Sequence, residues 1–305
     1  MPRANQQPFF LGGDGTWAQG EILLEADDCM IVKAKHTIDL TPVGVWTKRH
    51  TKLAERYKVN SNALSNSAFG DRRTADLFLE LPVLRRVSLS LWSPMDLSAL
   101  GRRRELTSLR INLSVWRCGD RFLPVDFSGL RKLQLADVMI CRALESVLKC
   151  STLRGLAVRN ECDGRLRDLD LTQLPALRDL ALDHCPKLRS VGLHPKARVR
   201  GLELTLCGSY QIDWHRLGSH LRFLSLGGRL TFPLGDIRNA PKLEELHMYG
   251  IRKLPSLGFL RELHDLRTVL VFTAPPGPKL SEEDKAIIRE INARAKELRG
   301  KLTEK

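Results

Sequence analysis

Nine windows of the chain repeat one pattern of aliphatic and polar positions. Each window has aliphatic residues at its first, fourth and sixth places, and the last two alternate with their neighbours. This period of two predicts a short strand with one buried face. Successive windows begin 22 to 24 residues apart. The aliphatic triplets are Leu84/Val87/Leu89, Leu106/Leu109/Ile111, Leu130/Leu133/Leu135, Leu153/Leu156/Val158, Leu177/Leu180/Leu182, Val199/Leu202/Leu204, Leu221/Leu224/Leu226, Leu243/Leu246/Met248 and Leu266/Val269/Val271.

A second aliphatic anchor lies six positions before several windows, as at Leu171, Leu193, Ile237 and Leu260. It predicts that the chain turns back after each strand, and that the returning segment adds a second row of buried aliphatic side chains. Because no window can bury its apolar side alone, stacked units are expected to share one continuous core.

The first 75 residues do not follow this pattern. Four glycines predict a loop over 1–20, and the apolar runs 21–25 and 29–33 predict a β-hairpin. The segment 47–58 predicts a short helix with a basic, solvated face, and 60–67 has the polar composition of a turn. We expect residues 1–75 to form an N-terminal cap on the first coil, or alternatively a separate functional module.

The repeats are expected to occupy 76–273, and residues 274–305 to form a proline-rich linker and a C-terminal helix. Ser281 is the predicted N-cap, and three acidic residues follow it in the first turn. Ile287, Ile288 and Ile291 form an apolar stripe. This stripe fits a helix that caps the last coil, or one that docks a partner.

The windows from Leu243 to Leu260 and from Leu89 to Leu100 resemble leucine-rich repeats of the short 22-residue, internalin-like class. The resemblance covers about 84–272. It implies an α/β leucine-rich-repeat solenoid, a right-handed curved superhelix with a parallel β-sheet on its concave face. Short 3₁₀ or irregular segments would form the convex face, between an N-terminal cap and a C-terminal helix. Proteins of this family mostly bind other proteins through the concave sheet.

One family feature is largely missing. The family usually places Asn or Cys three residues after the last strand aliphatic, where the side chain satisfies backbone groups of the turn. Among the nine windows only Cys185 and Cys207 fit this position. We therefore expect irregular turns and divergent repeats.

Side chains that flank the strand aliphatics are expected to point out of the concave sheet. They are basic in the early strands, acidic in the middle and aromatic in the late strands. Phe223, Tyr249 and Phe272 are the predicted anchors, since aromatic residues are enriched at interface centres. Leu270 and Phe272 could instead pack under the terminal helix. The predicted partner-binding residues are Arg86, Arg110, Lys132, Arg159, Asp179, Asp183, Glu203, Phe223, Glu245, His247 and Tyr249.

An arginine follows the first aliphatic residue in seven of the nine windows. Stacked coils would align these side chains along one sheet edge. They could bind a phosphate backbone or an acidic protein, or serve only as a solubilising edge whose stems cover apolar surface. The residues of this possible anion-binding edge are Arg85, Arg131, Arg154, Arg178, Arg200, Arg222 and Arg267.

Composition adds an excess of positive charge. The net charge is +14, and the excess lies in the repeats because residues 1–83 hold equal numbers of acidic and basic residues. Seven cysteines without a C-x-x-C pair favour reduced thiols. We see no secretory leader and no run near the ~20 apolar residues that span a bilayer. We expect a cytoplasmic protein without a membrane partner.

Catalytic patterns are missing from the sequence. The eight histidines form neither H-E-x-x-H nor a Cys/His zinc spacing, and no G-x-S-x-G motif occurs. We expect no enzyme activity, no cofactor, no metal and no small-molecule substrate. The sequence favours a non-catalytic module that binds a protein through its concave face, as an inhibitor, an immunity-type neutraliser or an adaptor. The alternative is binding of nucleic acid or another polyanion through the basic repeat surface.

Overall fold

The chain forms two compact units. A computed structural model describes residues 21–34, 37–42, 44–69, 76–79, 84–91, 95–113, 126–138, 141–159, 166–207, 213–228, 233–251, 254–272 and 280–303. The expected loop over 1–20 and the proline-rich stretch 274–278 lie outside these residues. Unit 1 comprises Met1–Asp163 and Gln173–Ala176, and unit 2 comprises Gly164–Thr172 and Leu177–Lys305.

Unit 1 is a mixed sheet with short helices between its strands. Its elements are β1 (Glu21–Ala26), β2 (Cys29–Ala34), β3 (Thr37–Pro42), α1 (Lys48–Arg56), β4 (Ser61–Ser65), α2 (Asn66–Phe69), a 3₁₀ turn (Asp76–Leu79), β5 (Arg86–Leu91), α3 (Ser98–Gly101), β6 (Ser108–Leu113), β7 (Leu135–Val138), α4 (Cys141–Val147) and β8 (Gly155–Arg159). Strands β1, β2 and β3 form an antiparallel meander. The predicted hairpin and the predicted helix α1 are confirmed, whereas β3 was not predicted.

The parallel strands of unit 1 begin one coil earlier than the aliphatic windows. Strand β4 pairs in parallel with both β3 and β5, although its sequence has the composition of a turn. Its inward side chains are Asn62 and Leu64, which are 1% and 3% exposed. Backbone pairing therefore places this polar segment in the sheet, and the parallel strands start within the first 75 residues.

The third predicted window is wrong by three residues. Strand β7 pairs Ala136 with Leu109 and Val138 with Ile111, and all four are buried. The true aliphatic triplet is Leu133/Ala136/Val138 instead of Leu130/Leu133/Leu135. Backbone hydrogen bonds determine this register, because the Gln134 N–H donates to the Thr107 carbonyl at 2.8 Å.

Unit 2 is a parallel sheet of five strands with a second, two-stranded sheet. Its elements are β9 (Asp168–Leu171), β10 (Asp179–Asp183), β11 (Ser190–Leu193), β12 (Gly201–Thr205), α5 (Trp214–Leu217), β13 (Phe223–Gly227), a 3₁₀ segment (Leu234–Asn239), β14 (Glu245–Tyr249), a 3₁₀ segment (Gly258–Glu262), β15 (Thr268–Phe272) and α6 (Glu282–Thr303). Strands β10, β12, β13, β14 and β15 pair in that order without a register shift. Strand β9 pairs with β11 in the second sheet.

Two rows of aliphatic side chains form the core of unit 2. All but Val271 are at most 5% exposed, and burying each such side chain is worth about 1.5–3 kcal/mol. The pairing register aligns Leu180, Leu202, Leu224, Leu246 and Val269 in one row and Leu182, Leu204, Leu226, Met248 and Val271 in the other. The predicted windows of unit 2 are therefore confirmed, each as one strand of a stacked coil.

The turns after four strands of unit 2 share one backbone conformation and one backbone hydrogen bond. The residue that follows the strand has a positive φ, which is 51° at His184 and Leu206, 81° at Gly228 and 60° at Gly250. Each of these residues donates its N–H to the last strand residue of the next coil, at 2.8–3.0 Å. The expectation of irregular turns is therefore wrong for these four turns, because they share one backbone conformation and one hydrogen bond.

The start of α6 is fastened to the last coil. The Ser281 hydroxyl accepts the Asp284 N–H at 3.0 Å and donates to the Asp284 carboxylate at 2.6 Å. The other carboxylate oxygen accepts the N–H of buried Leu257 at 2.8 Å. The predicted Ser281 N-cap is confirmed, and Asp284 in addition joins the helix to the segment before the last 3₁₀ turn.

The same helix covers the edge of the sheet at β15. Ile287 and Ile291 are buried, and the Asn292 side chain bonds both backbone groups of Val269. It accepts the Val269 N–H at 2.8 Å and donates to the Val269 carbonyl at 3.1 Å. An open strand edge invites pairing with another chain, so this amide protects it. The alternative in which α6 caps the last coil is confirmed.

Candidate functional site

The outer face of unit 2 is the sheet face opposite its aliphatic core. Side chains alternate along each strand, so three rows of outer positions lie between and beside the two core rows. No Lys or Arg occupies these rows in β10 and β12–β15. The charged outer residues are Asp179, Asp183, Glu203 and Glu245, and all were predicted as partner-binding residues.

An aromatic cluster lies at the β13–β15 side of this face, and we define it as Phe223, His247, Tyr249 and Phe272. The Phe223 and His247 rings meet edge to face with centroids 4.9 Å apart. His247 and Tyr249 also meet at a steep angle, at 6.1 Å. The Tyr249 and Phe272 rings are stacked at 5.1 Å with only 4° between their planes. The parallel register brings these four rings together, because each lies on the next strand or two positions along the same strand.

The three predicted anchors differ in how much of each side chain is exposed to solvent. Tyr249 is 39% exposed and Phe272 is 54% exposed, whereas Phe223 is only 7% exposed. Phe223 points outward as predicted, but it packs against His247 and cannot offer its ring to a partner. Phe272 does not pack under the terminal helix. The accessible anchors are therefore the stacked pair Tyr249 and Phe272, with Phe223 as support.

The His247 side chain is half-buried within the cluster and lies between two polar groups. Its Nδ1 lies 3.2 Å from the Tyr249 hydroxyl, and its Nε2 lies 3.6 Å from a carboxylate oxygen of Glu245. Burial lowers the pKa of His247 below its ordinary value, and the charge of Glu245 opposes this only in part. This shift favours the neutral form of the imidazole.

Two acids of the outer face have different surroundings. Burial raises the pKa of Asp179, while Arg178 and Arg200 act in the opposite direction. Burial also raises the pKa of Tyr249, and the negative charge of Glu203 adds to this. Glu203 therefore acts on the Tyr249 hydroxyl across β13, whereas Asp179 lies near the arginine edge.

The outer face of unit 1 carries the opposite charge. Arg110 and Arg159 share the buried carboxylate of Asp137, with N···O distances of 3.1 Å and 3.4 Å to one oxygen. Burial lowers the pKa of Arg110, and the charge of Asp137 opposes this. Arg86 is an exposed outer residue of β5. Asp137 was not predicted, because the shifted third window placed it outside the strand.

The same register corrects the predicted position of Lys132. It precedes β7 instead of lying on its outer face, and it forms an exposed ion pair with Glu105 at 2.6 Å. The predicted contribution of Lys132 to a binding sheet is therefore wrong. Alternation counted from Leu133 would have selected Asp137 in its place.

The predicted arginine edge exists in part. In unit 2, backbone hydrogen bonds link Arg178, Arg200 and Arg222 from coil to coil and continue through Glu244 to Arg267. In unit 1 the equivalent ladder runs through Arg85, Thr107, Gln134 and Arg154, so Arg131 does not belong to it. We call Arg178, Arg200, Arg222 and Arg267 the arginine column of unit 2. Its charge is partly offset, because Arg222 pairs with Glu244 at 2.9 Å.

One trio of potential metal ligands occurs among the described residues. Ligand atoms of Asp28, Cys29 and His50 lie within 4.8 Å of one another. The Thr47 N–H donates to His50 Nδ1 at 2.9 Å, so the ring proton is on Nε2, which faces Asp28. A metal would need that Nε2 lone pair and a thiolate, yet burial raises the pKa of Cys29. This arrangement fits a hydrogen-bonded connection between α1 and the β1–β2 turn better than a metal site.

Unit 2 also contains a cavity of about 210 Å³. Residues of β10, β11 and β12 form most of its wall, and Asp213 and Arg216 of the α5 region contribute the charged groups. The Asp213 carboxylate accepts the Arg216 N–H at 3.2 Å as a helix cap. Capping this helix accounts for the presence of Asp213 in the cavity wall without a catalytic role.

A scan against models of protein families finds no match, and a search of curated proteins also finds none. Solved structures with a similar chain course include an internalin of Listeria monocytogenes, at 14% identity and a TM-score of 0.42 over 71% of this chain and 61% of that chain. TLR13 in its complex with ssRNA13 has 19% identity and a TM-score of 0.40 over 72% of this chain and 33% of that chain. A leucine-rich-repeat protein of Leptospira interrogans has 14% identity and a TM-score of 0.34 over 82% and 92%.

The three proteins share one architecture, that of leucine-rich repeats, and the chain spans less than two thirds of the length of the first two. None of the helices in the described segments is long and apolar enough to cross a membrane. Within each unit, parallel strands recur at nearly constant spacing, and their aliphatic rows stack in register. By its own strands, core rows and turns, the chain has the leucine-rich-repeat fold.

Proposed function

We propose that this chain is a non-catalytic protein-binding protein whose partner docks on the outer face of unit 2. The observation that carries the proposal is the stacked, exposed pair Tyr249 and Phe272. Large aromatic rings lose little conformational entropy on binding and bury much area, so they dominate interface energetics. A folded chain that leaves two such rings together on a sheet gains from a partner that covers them.

The supporting surface is already ordered before binding. Tyr249 and Phe272 lie on neighbouring parallel strands, and Phe223 and His247 pack beside them. A rigid surface loses less entropy when a partner docks than a mobile loop does. Five strands at ~4.8 Å spacing extend over ~20 Å, which suits one face of a small protein domain.

Such a protein would act by occupying a surface of its partner. This mode of action is common to an inhibitor, an immunity-type neutraliser and an adaptor subunit. The second candidate is binding of nucleic acid or another polyanion. One observation favours it, namely the coil-to-coil backbone ladder that aligns the arginine column of unit 2. The partial neutralisation of Arg222 by Glu244 weakens this candidate.

Capture of a partner from a lysate of the source cells tests the proposal. Immobilised wild-type protein should retain a stoichiometric protein, and Tyr249→Ala with Phe272→Ala should reduce its recovery at least ~100-fold, as expected when two anchors worth about 2 kcal/mol each are lost. Both residues are exposed, so circular dichroism and the unfolding midpoint should be unchanged. The retained material is identified by mass spectrometry before and after nuclease treatment.

A matched variant controls for loss of apolar surface. Val45 is 51% exposed and belongs to unit 1, and Val45→Ala should leave capture unchanged. Normal recovery by the Tyr249/Phe272 variant would refute the proposed face. Release of the captured material by nuclease, with steep loss as salt increases, would favour the polyanion candidate instead.

A further inference from the structure

Cys185 and Cys207 are equivalent residues in two neighbouring coils of unit 2. Strands β10 and β12 pair Asp183 with Thr205, and each cysteine lies two residues after its member of this pair. The residue just before each cysteine has a φ of 51°. The chain therefore turns in the same way after both strands and brings the two cysteines side by side.

The backbone spacing between the two coils suits a disulfide. Neighbouring strands of a sheet lie ~4.8 Å apart, and the Cα atoms of a disulfide are about 4.4–6.8 Å apart. The His184 N–H donates to the Thr205 carbonyl at 2.9 Å, so the spacing of the sheet continues past the strand ends. A bond between Cys185 and Cys207 therefore requires rotation of side chains but no movement of a coil.

The two sulfur atoms lie beside the same strand end. Cys207 Sγ is 3.3 Å from the Leu182 carbonyl oxygen in the preceding coil. Cys185 Sγ is 3.4 Å from the carbonyl oxygen of Asp183, the next residue of β10. A hydrogen bond joins the two thiols. The sulfurs are therefore in contact across the coils.

The two thiols differ in their access to solvent. Cys185 is fully buried, whereas Cys207 is half-buried. The hydrogen bond with Cys185 lowers the pKa of Cys207, although burial and the charge of Asp183 act in the opposite direction. The thiolate is the reactive form of cysteine. A small oxidant from solution therefore meets Cys207 first, and Cys185 lies behind it.

Cys29 and Cys150 of unit 1 have the opposite properties. Both are buried. Burial raises the pKa of Cys150 to about 11. Burial also raises the pKa of Cys29, and the charge of Asp28 adds to this. These two thiols are therefore matched controls for the reactivity of Cys207.

From this geometry we propose that Cys185 and Cys207 form a redox modification site, at which a peroxide converts the pair into a disulfide. The Cys207 thiolate attacks one oxygen of hydrogen peroxide, the O–O bond breaks, and the sulfur becomes a sulfenic acid. The departing hydroxide takes up the proton that Cys207 released. The Cys185 thiol then attacks this sulfur, and its proton leaves with the hydroxyl group as water. The two thiols together lose two electrons, and the peroxide is reduced to two molecules of water.

The disulfide joins two coils of the stack at the carboxyl ends of β10 and β12. It connects residues that are 22 positions apart in the chain. Such a link restricts the unfolded chain, so the oxidised protein should unfold at a higher temperature than the reduced one. This inference does not rest on the proposed function, because it concerns the chemistry of the two thiols alone.

Peptide mapping of the full chain tests the site. The protein is treated with a slight excess of hydrogen peroxide, alkylated, and digested with trypsin without reduction. We expect peptides 179–187 and 201–216 to be recovered as one linked species that dithiothreitol separates. The reduced Cys207 peptide should fall at least ~10-fold, whereas the Cys29 and Cys150 peptides should change less than ~2-fold.

Two variants separate the roles of the sulfurs. In Cys185→Ala the sulfenic acid cannot be converted to the disulfide, so dimedone should label Cys207. In Cys207→Ser the buried Cys185 thiol should stay reduced and unlabelled. Thermal unfolding of the wild-type chain adds an independent readout, since peroxide should raise the midpoint and dithiothreitol should restore it.

Several results would overturn the inference. They are failure to recover the linked peptides from the oxidised wild-type chain, a link from either residue to another cysteine, and equal oxidation of Cys150 and Cys207. Dimedone labelling of Cys185 in Cys207→Ser would contradict the order of the two steps. Because the mapping uses the wild-type chain, it decides the matter even if a variant does not fold.

Discussion

Replacing Asp137 with alanine is expected to destabilise the protein by about 3 kcal/mol, since removal of one partner leaves buried charge uncompensated. The Asp137 side chain is 6% exposed and receives Arg110 and Arg159, whose side chains are 22% and 31% exposed. Without the carboxylate, two guanidinium groups repel each other in a partly dehydrated place. Urea unfolding followed by circular dichroism measures the loss.

A second acid of unit 1 is the matched control for Asp137. Glu105 pairs with Lys132 at 2.6 Å, but both side chains are more than half exposed. Because water and salt screen exposed ion pairs, Glu105→Ala should leave the unfolding midpoint unchanged. Similar midpoints for the two variants would mean that the Asp137 cluster contributes no more than a surface pair.

Asp284→Ala is expected to cost about 2–3 kcal/mol, because it removes the carboxylate that accepts from the Ser281 hydroxyl and leaves the buried Leu257 N–H unpaired. The lost bonds are those from the Ser281 hydroxyl and the Leu257 N–H, at 2.6 Å and 2.8 Å. Leu257 is fully buried, so water cannot easily replace the carboxylate. Hydrogen exchange at the Leu257 amide should accelerate together with the loss of global stability.

Two other substitutions in the same turn test this interpretation. Asp284→Asn keeps an oxygen for the Leu257 N–H and should lie between the wild type and the alanine variant. Glu283→Ala removes the neighbouring acid, whose side chain is 69% exposed, and should change neither the midpoint nor the exchange rate. Unaltered exchange at Leu257 in Asp284→Ala would contradict the fastening of α6 to the last coil.

The repeat architecture of unit 2 was predictable from the sequence. Leu224, Leu226, Leu246 and Met248 alternate with polar neighbours, and this period determines which side of a strand is buried. The same alternation predicted that Tyr249 points outward. Local pattern was sufficient there because each window coincides with one strand of a regular stack.

Two strands of unit 1 were not predictable in this way. The segment 130–138 offers overlapping aliphatic patterns, and the leucine-rich one is wrong because Ala136 and Val138 occupy the core. Strand β4 has Asn62 at an inward position, so hydrophobic pattern alone could not identify it. Hydrogen-bond pairing with the neighbouring coils determines the register of both strands. Such pairing depends on residues far away in the sequence, so the pattern within one window cannot reveal it.

The candidate site was predicted as a list of outward residues but not as a surface. Alternation cannot reveal that His247 covers Phe223 or that Tyr249 stacks on Phe272. These relations depend on rotamers and on which residues share a row. The acidic character of the outer face of unit 2 was predictable, because Asp179, Asp183, Glu203 and Glu245 were all expected to point outward.

Photo-crosslinking from the outer face tests the central claim most directly. Phe272 is replaced by p-benzoylphenylalanine, and the same group is placed at Val45, an exposed apolar position of unit 1. After irradiation in lysate, we expect one discrete crosslinked protein from position 272, suppressed by excess wild-type chain and not obtained from position 45. Crosslinks of the same protein from both positions, or none from position 272 while the protein is still captured, would contradict docking on this face.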